Sequence, residues 1–246
     1  MKKILFILLL IGNFCYGQVT INLATDTVGT PSINTVYYQV GLVSFSLQPF
    51  KTNIDGKHLY LQLIGINGTV GGFGTVTFTN AGTHTWNLIA RGGTSSVRYS
   101  LYACMPTSGA VWDEVSYNVS GLGADVEIAS VYEITGVASG NNGANAIRQT
   151  VKDSANGADP TITMASLINN NGVLNFWLND ANPFGGTPES GWTENSDIGC
   201  ATHVTGMYVM QRIGGADNTP LVTSSSSNWM GVSLELRGVR RITTIN

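Results

Sequence analysis

Residues 58–64 read His-Leu-Tyr-Leu-Gln-Leu-Ile, with Leu59, Leu61 and Leu63 on one side of an extended chain and Tyr60 and Gln62 on the other. A spacing of two is the period of a strand with one buried face; a helix needs apolar residues three and four apart. The same alternation runs through 35–47 (TVYYQVGLVSFSL), 97–105 (VRYSLYACM), 126–137, 161–164, 173–178, 204–212 and 229–238. Each run is rich in β-branched or aromatic residues and is bounded by Gly, Asn, Ser or Asp, the residues of turns. No window carries convincing helical periodicity. Many strands with closely set turn signals predict an all-β fold, an antiparallel two-sheet β-sandwich of jelly-roll-like form.

Laid side by side, the two halves of the chain repeat one another. Leu59-Tyr60-Leu61-Gln62-Leu63 matches Leu174-Asn175-Phe176-Trp177-Leu178. A Trp follows in each half, in Thr85-Trp86-Asn87 and Gly191-Trp192-Thr193, and then a Tyr-bearing strand, 98–105 and 204–211. Both halves close on Glu-x-x-Gly-Val, at Glu133 to Val137 and at Glu235 to Val239. An offset of about 100 residues is too long for a solenoid repeat and fits a pseudo-twofold pair of half-sandwiches. The joint at 138–145, Ala-Ser-Gly-Asn-Asn-Gly-Ala-Asn, reads as a surface loop. Neither half has enough strands to cover both of its faces, so 18–246 is one domain, with 18–32 a leading arm.

The N-terminus reads as an address. Lys2 and Lys3 precede an apolar run from Ile4 to Ile11, and Cys15-Tyr16-Gly17 offers small residues at a cleavage point before Gln18. Residues 1–17 therefore predict a signal peptide and an exported product: periplasmic, cell-surface or extracellular. The run is far shorter than the roughly 20 residues of a membrane span. Only 11% of residues are charged and the net charge is −3, without a basic run, so nucleic acid is not an expected partner. Beyond Gln18 two cysteines remain, Cys104 and Cys200. In an oxidising compartment they either bridge or stay as two buried thiols, and the sequence leaves both open.

The order of an apolar Leu-rich strand, Thr85-Trp86-Asn87-Leu88, a Tyr-bearing strand, and Val131-Tyr132-Glu133-Ile134-Thr135-Gly136-Val137 comes first. After the Gly/Ser/Asn loop come a second apolar strand, Gly191-Trp192-Thr193 and Trp229-Met230-Gly231-Val232-Ser233-Leu234-Glu235. Across 58–239 this succession resembles a loose family of exported bacterial β-sandwich domains, found in adhesin-like surface proteins and in phage-associated proteins. The resemblance implies a surface or assembly role, and it supplies no catalytic residues because most members have no assigned activity.

Chemistry-bearing patterns are sparse. His58, His84 and His203 lie far apart, with neither Cys-x-x-Cys nor His-x-x-x-His spacing, so no zinc site and no cofactor is expected. The oxygen-rich loop 179–197, with Asp180, Asn182, Glu189, Glu194 and Asp197, could take Ca²⁺ or be an ordinary polar loop. Asp125 and Glu127 share a strand face, but the dense carboxylate pattern of a sandwich glycosidase is missing, and Arg237 is a natural partner for such charges. If the leucines of both matched strands face the core, Tyr60, Gln62, Asn175, Trp177 and Asn179 point outward. Flat aromatics beside amides suit sugar rings or a protein partner. Asp26-Thr27-Val28 and Asp153-Ser154-Ala155 resemble bacterial O-glycosylation sites, which makes Thr27 and Ser154 candidates for modification.

The expected function is therefore an exported, non-enzymatic binding or adhesion module, with a glycan or surface protein as partner. A structural subunit of a virion, fibre or surface layer, which implies homo-oligomers, is the first alternative. A polysaccharide-active enzyme is the second.

Overall fold

The computed structural model describes residues 18–24, 34–42, 44–46, 49–68, 75–80, 84–94, 97–109, 112–118, 124–180, 185–200, 205–214, 217–224 and 227–239. The expected signal peptide, 1–17, lies outside them, as do Thr27 and the second part of the leading arm.

The first half contributes β1 (Thr20–Leu23), β2 (Asn34–Leu42), β3 (Ser44–Ser46), β4 (Phe50–Lys51) and β5 (Leu59–Gly68). It continues with β6 (Thr75–Asn80), β7 (Asn87–Gly93), β8 (Val97–Cys104), β9 (Trp112–Asn118) and β10 (Ala124–Thr135). The second half contributes β11 (Ile147–Gly157), β12 (Gly172–Asn179), β13 (Thr187–Pro188), β14 (Thr193–Cys200), β15 (Thr205–Ile213), β16 (Val222–Thr223) and β17 (Ser227–Leu236). All pairings among them are antiparallel.

The fold is all-β and sandwich-like. One large sheet has the order β1-β10-β5-β8-β7, with β2 continuing the β1 side of β10, and the other has the order β11-β17-β12-β15-β14. Numbered by appearance within each half, the five strands of both sheets lie as first, fifth, second, fourth, third. The expected leading arm is in part an edge strand, because Thr20 to Leu23 pair with Thr135 to Tyr132.

The inward alternation of β5 meets that of β12. Leu59, Leu61 and Leu63 share one buried cluster with Leu174, Phe176 and Leu178, and the Tyr132 and Phe176 rings meet edge-on at 5.7 Å. Gly65 is required where the sheets come closest, since a Cβ there would stand 2.7 Å from a Leu178 methyl. The register differs by two residues from the expected match of β5 with β12. Glu133 pairs with Tyr60 and Glu235 with Val173, so Leu61, not Leu59, corresponds to Leu174.

The joint between the halves is more than a surface loop. Asn141–Ala146 forms a short 3-10 segment whose Gly143 and Ala146 are buried. Gly143, at φ +93°, lies so close to Leu59 that a side chain would collide with it. At the same end Val137 bridges Gly238, with the Val239 N–H donating to the Gly136 carbonyl at 2.9 Å. The two Glu-x-x-Gly-Val segments thus meet each other. No helix among the described residues is long and apolar enough to cross a membrane.

Candidate functional site

The described outward positions of β5 and β12, the central strands of the two large sheets, are roofed. On the first, a further sheet of β3, β4, β6 and β9 supplies Phe50, whose ring lies 6.2 Å from Tyr60, and Phe78, 5.1 Å from Tyr102 and stacked on Trp86 at 4.6 Å. On the second, Ile162, Met164, Trp192 and Val222 cover Val173, Trp177, Tyr208 and Met210. The Trp177 ring meets Trp229 edge-on at 5.3 Å and lies over Gly231, where no side chain would fit. Consequently Tyr60, Gln62, Asn175, Trp177 and Asn179 do leave the core side of their strands, but each is 0% exposed. The expected open ligand face does not exist at these residues. Alternation separates the two faces of a strand; it does not reveal that a second layer covers the outer one.

The two glutamates of the Glu-x-x-Gly-Val segments are polar anchors for the connections that lead into β5 and β12. Glu133 Oε1 accepts hydrogen bonds from Asn53 Nδ2 (2.7 Å) and the Tyr60 hydroxyl (2.7 Å), and lies 2.8 Å from His58 Nδ1. Burial raises the Tyr60 hydroxyl pKa far above its usual range, and the Glu133 carboxylate adds to that. Glu235, fully buried, accepts from Asn171 Nδ2 (2.7 Å), the Ile168 N–H (2.9 Å), Gln149 Nε2 and the guanidinium of Arg148. Burial opposes ionisation of both glutamates, yet their donors outweigh it and hold both pKa values below the usual range. Arg237, expected as a partner for the charges at Asp125 and Glu127, is exposed, and the cation at Glu235 is Arg148. The side chains of Asp125 and Glu127 lie outside the described residues, as do His203 and Asn182.

In the loop expected to suit Ca²⁺, the described carboxylates take protein donors. Asp180 accepts from Asn228 Nδ2 (2.7 Å), Glu189 from the Leu221 N–H (2.8 Å), Glu194 from the Tyr208 hydroxyl (3.3 Å) and Asp197 from the Gly185 N–H (3.1 Å). Among the described residues no three acidic, His or Cys side chains gather to hold a metal ion. Asp217, nearby, accepts from Trp192 Nε1 (2.9 Å) and Arg212 (3.1 Å). Burial works against its ionisation, but these donors keep its pKa low; burial and then Asp217 itself raise that of Glu189.

Cys104 and Cys200 are both free and buried, so the bridge is not formed. Cys104 stands opposite Tyr60 near the start of β5. Cys200 ends β14, beyond Ile198, which pairs with Met207 and through it aligns with Leu178; Leu178 sits against Gly65, five residues further along β5. Five strand residues span roughly 16 Å, beyond the ~7 Å between Cα atoms that a disulfide tolerates.

An open concavity does occur where the sheets' free edges meet. β7 pairs with β8 alone and β11 with β17 alone among the described residues, and Lys152 Nζ, on β11, donates to the Arg91 carbonyl on β7 at 3.0 Å. Beside this tie lies a cleft of about 200 Å³ lined by Gly92, Gly93, Tyr99, Lys152, Asp153 and Ser154, with Met230 at its base. Asp153 and Ser154 are exposed, and Asp153 Oδ1 accepts the Ser154 N–H at 2.8 Å. Tyr99 is 2% exposed, and its buried hydroxyl has no hydrogen-bond partner among the described residues. Burial raises its pKa well above the usual range, so it stays protonated. An unsatisfied buried hydroxyl is unfavourable by about 1–3 kcal/mol. Gly92 leaves room for the phenol end against its backbone, since a Cβ there would stand 2.6–2.9 Å from the outer atoms of the ring.

This cleft joins residues about 60 apart in the chain, and only Asp153-Ser154 drew notice in the sequence, as a modification motif. The exposure of Ser154 meets the access such a modification needs. No protein-family model matches the sequence, and no curated protein matches it.

Proposed function

We propose that this protein is an exported, non-enzymatic binding module, a duplicated jelly-roll-like β-sandwich that engages its ligand at the β7/β11 edge. Export is inferred from the signal-like segment 1–17. The duplication is inferred from the identical strand order of the two large sheets and the meeting of their Glu-x-x-Gly-Val segments. The resemblance to exported bacterial sandwich domains of surface and phage-associated proteins points the same way.

One observation carries the binding role. The outward aromatics are sealed, whereas the edge cleft is open and is lined by Tyr99, whose buried hydroxyl has no partner among the described residues. Buried polar groups in folded proteins nearly always have a partner, and of the described side chains that lack one Tyr99 alone lines this opening, so it marks a place for a partner from outside. The test is a screen of the full chain against glycans and isolated surface proteins. Saturable binding supports the module; its absence from both panels sinks it.

A second reading, a structural subunit, is favoured by β11 itself. Lys152 to Asn156 are all exposed along a free edge, and such edges pair readily with other strands. Symmetric particles that grow with concentration would establish it; a strict monomer at high concentration would remove it.

A further inference from the structure

We infer that the β7/β11 cleft seats a single neutral, hydroxyl-rich ring, of the class of a monosaccharide or the terminal residue of a glycan. This rests on the binding-module reading and names its site and ligand class.

Size comes first. At about 200 Å³ the cleft is smaller than the ~300–1,000 Å³ of pockets for drug-sized ligands, so it admits one small ring and not an extended chain. Charge comes second. Among the described residues its rim carries one cation and one anion, Lys152 and Asp153, and the cation is already tied to the Arg91 carbonyl. An anionic ligand would face the Asp153 carboxylate, and a cationic one the Lys152 ammonium. A neutral ligand meets neither repulsion.

Hydrogen-bonding capacity comes third. Asp153 Oδ1 is used by the Ser154 N–H, which leaves Oδ2 to accept from ligand hydroxyls. The Tyr99 hydroxyl, held protonated inside, donates to a ring or hydroxyl oxygen, and that bond supplies the partner it lacks among the described residues. Ser154 both donates and accepts. Ligand hydroxyls are donors and acceptors at once, and this set complements both properties. The absence of side chains at Gly92 and Gly93 lets the ring come close to the backbone. No open aromatic face lies in the cleft, because the Tyr99 ring is packed beneath Gly92, so recognition proceeds through hydrogen bonds and not through stacking.

The test uses the full chain with Ser154 unmodified, verified by mass. Neutral methyl glycosides, their amino and uronic acid counterparts, and oligosaccharides ending in the same residues are titrated by calorimetry and saturation-transfer NMR. Tyr99→Phe keeps the ring and removes the hydroxyl; Asp153→Asn keeps the shape and removes the charge. The expected result is binding of a neutral glycoside, at least 10-fold weaker in each variant, with the melting temperature of Tyr99→Phe unchanged or raised. A free glycoside that binds as well as the oligosaccharide marks a monosaccharide site; tighter binding of the oligosaccharide marks a chain end. A glycan bound equally by wild type and both variants overturns the cleft while leaving the module intact. Capture of a protein or a charged ligand without any neutral sugar overturns the ligand class. No binding in either panel overturns both.

Discussion

Glu133 and Glu235 occupy the same place in two sheets of one strand order. Each lies on the last strand of its half, three residues before a glycine and opposite the second strand, at Tyr60 and at Val173. Each gathers donors from the connection that leads into the strand opposite it: Asn53 and His58, between β4 and β5, at Glu133, and Ile168 and Asn171, between β11 and β12, at Glu235. Glu-x-x-Gly-Val is therefore, in each half, a fastening for that connection.

Replacing Glu235 with Gln should lower folding stability by about 2–4 kcal/mol, because it leaves buried donors and the Arg148 charge poorly matched. Glu133→Gln, at a side chain 21% exposed, should lose less. Urea denaturation of both variants measures this, and equal losses would contradict the fastening role at Glu235.

Acid should weaken the fold through these same groups. Glu133, Glu235 and Asp217 have folded pKa values below their ordinary 4.5, 4.5 and 3.8, so their stabilisation is present above those values and is lost as pH falls through the folded ones. Glu189 has the opposite sign: its raised value favours the fold below pH 4.5 and that share is lost as pH rises through the folded value. With three groups against one, the melting temperature should drop between pH 5 and pH 3. The drop should be shallower in Glu235→Gln; curves of wild type and variant that stay parallel would count against it.

Trp177→Ala should destabilise by about 3–5 kcal/mol, the range for a large aromatic removed from a packed interior. The ring is fully buried between Trp229 and the Ile162 cover. A denaturation midpoint equal to wild type would mean that the second sheet is not roofed there.

Neither cysteine should react with a thiol reagent in the native protein, and Cys104 and Cys200 should both react after denaturation, without a reductant. A mass or a peptide linking the two would contradict the register that separates them.

The strands were legible because Leu59, Leu61 and Leu63 need only one apolar face opposite them, and a period of two reports that locally. The likeness of strand order between the two sheets was signalled by Glu133 and Glu235, although matching the leucine strands by sequence set β5 against β12 two residues out, because Leu recurs at every second position of β5. The roofs were not legible. Tyr60 and Trp177 carry polar atoms and alternate with core residues, which is the pattern of a solvated face whether or not Phe50 or Ile162 lies above it. The cleft was invisible for a different reason. Gly92 and Ser154 meet only through the pairing of two sheets, and nothing near either residue in the sequence encodes the other.

Whether recognition occurs at the sheet edges or on the outward aromatics is decided by hydroxyl-radical footprinting with and without the bound ligand. Tyr60 and Trp177 should stay unmodified in both states, and the ligand should protect only the segments around Gly92 to Tyr99 and Lys152 to Ser154. Oxidation of Tyr60 or Trp177 in the native protein, relieved by ligand, would contradict recognition at the sheet edges.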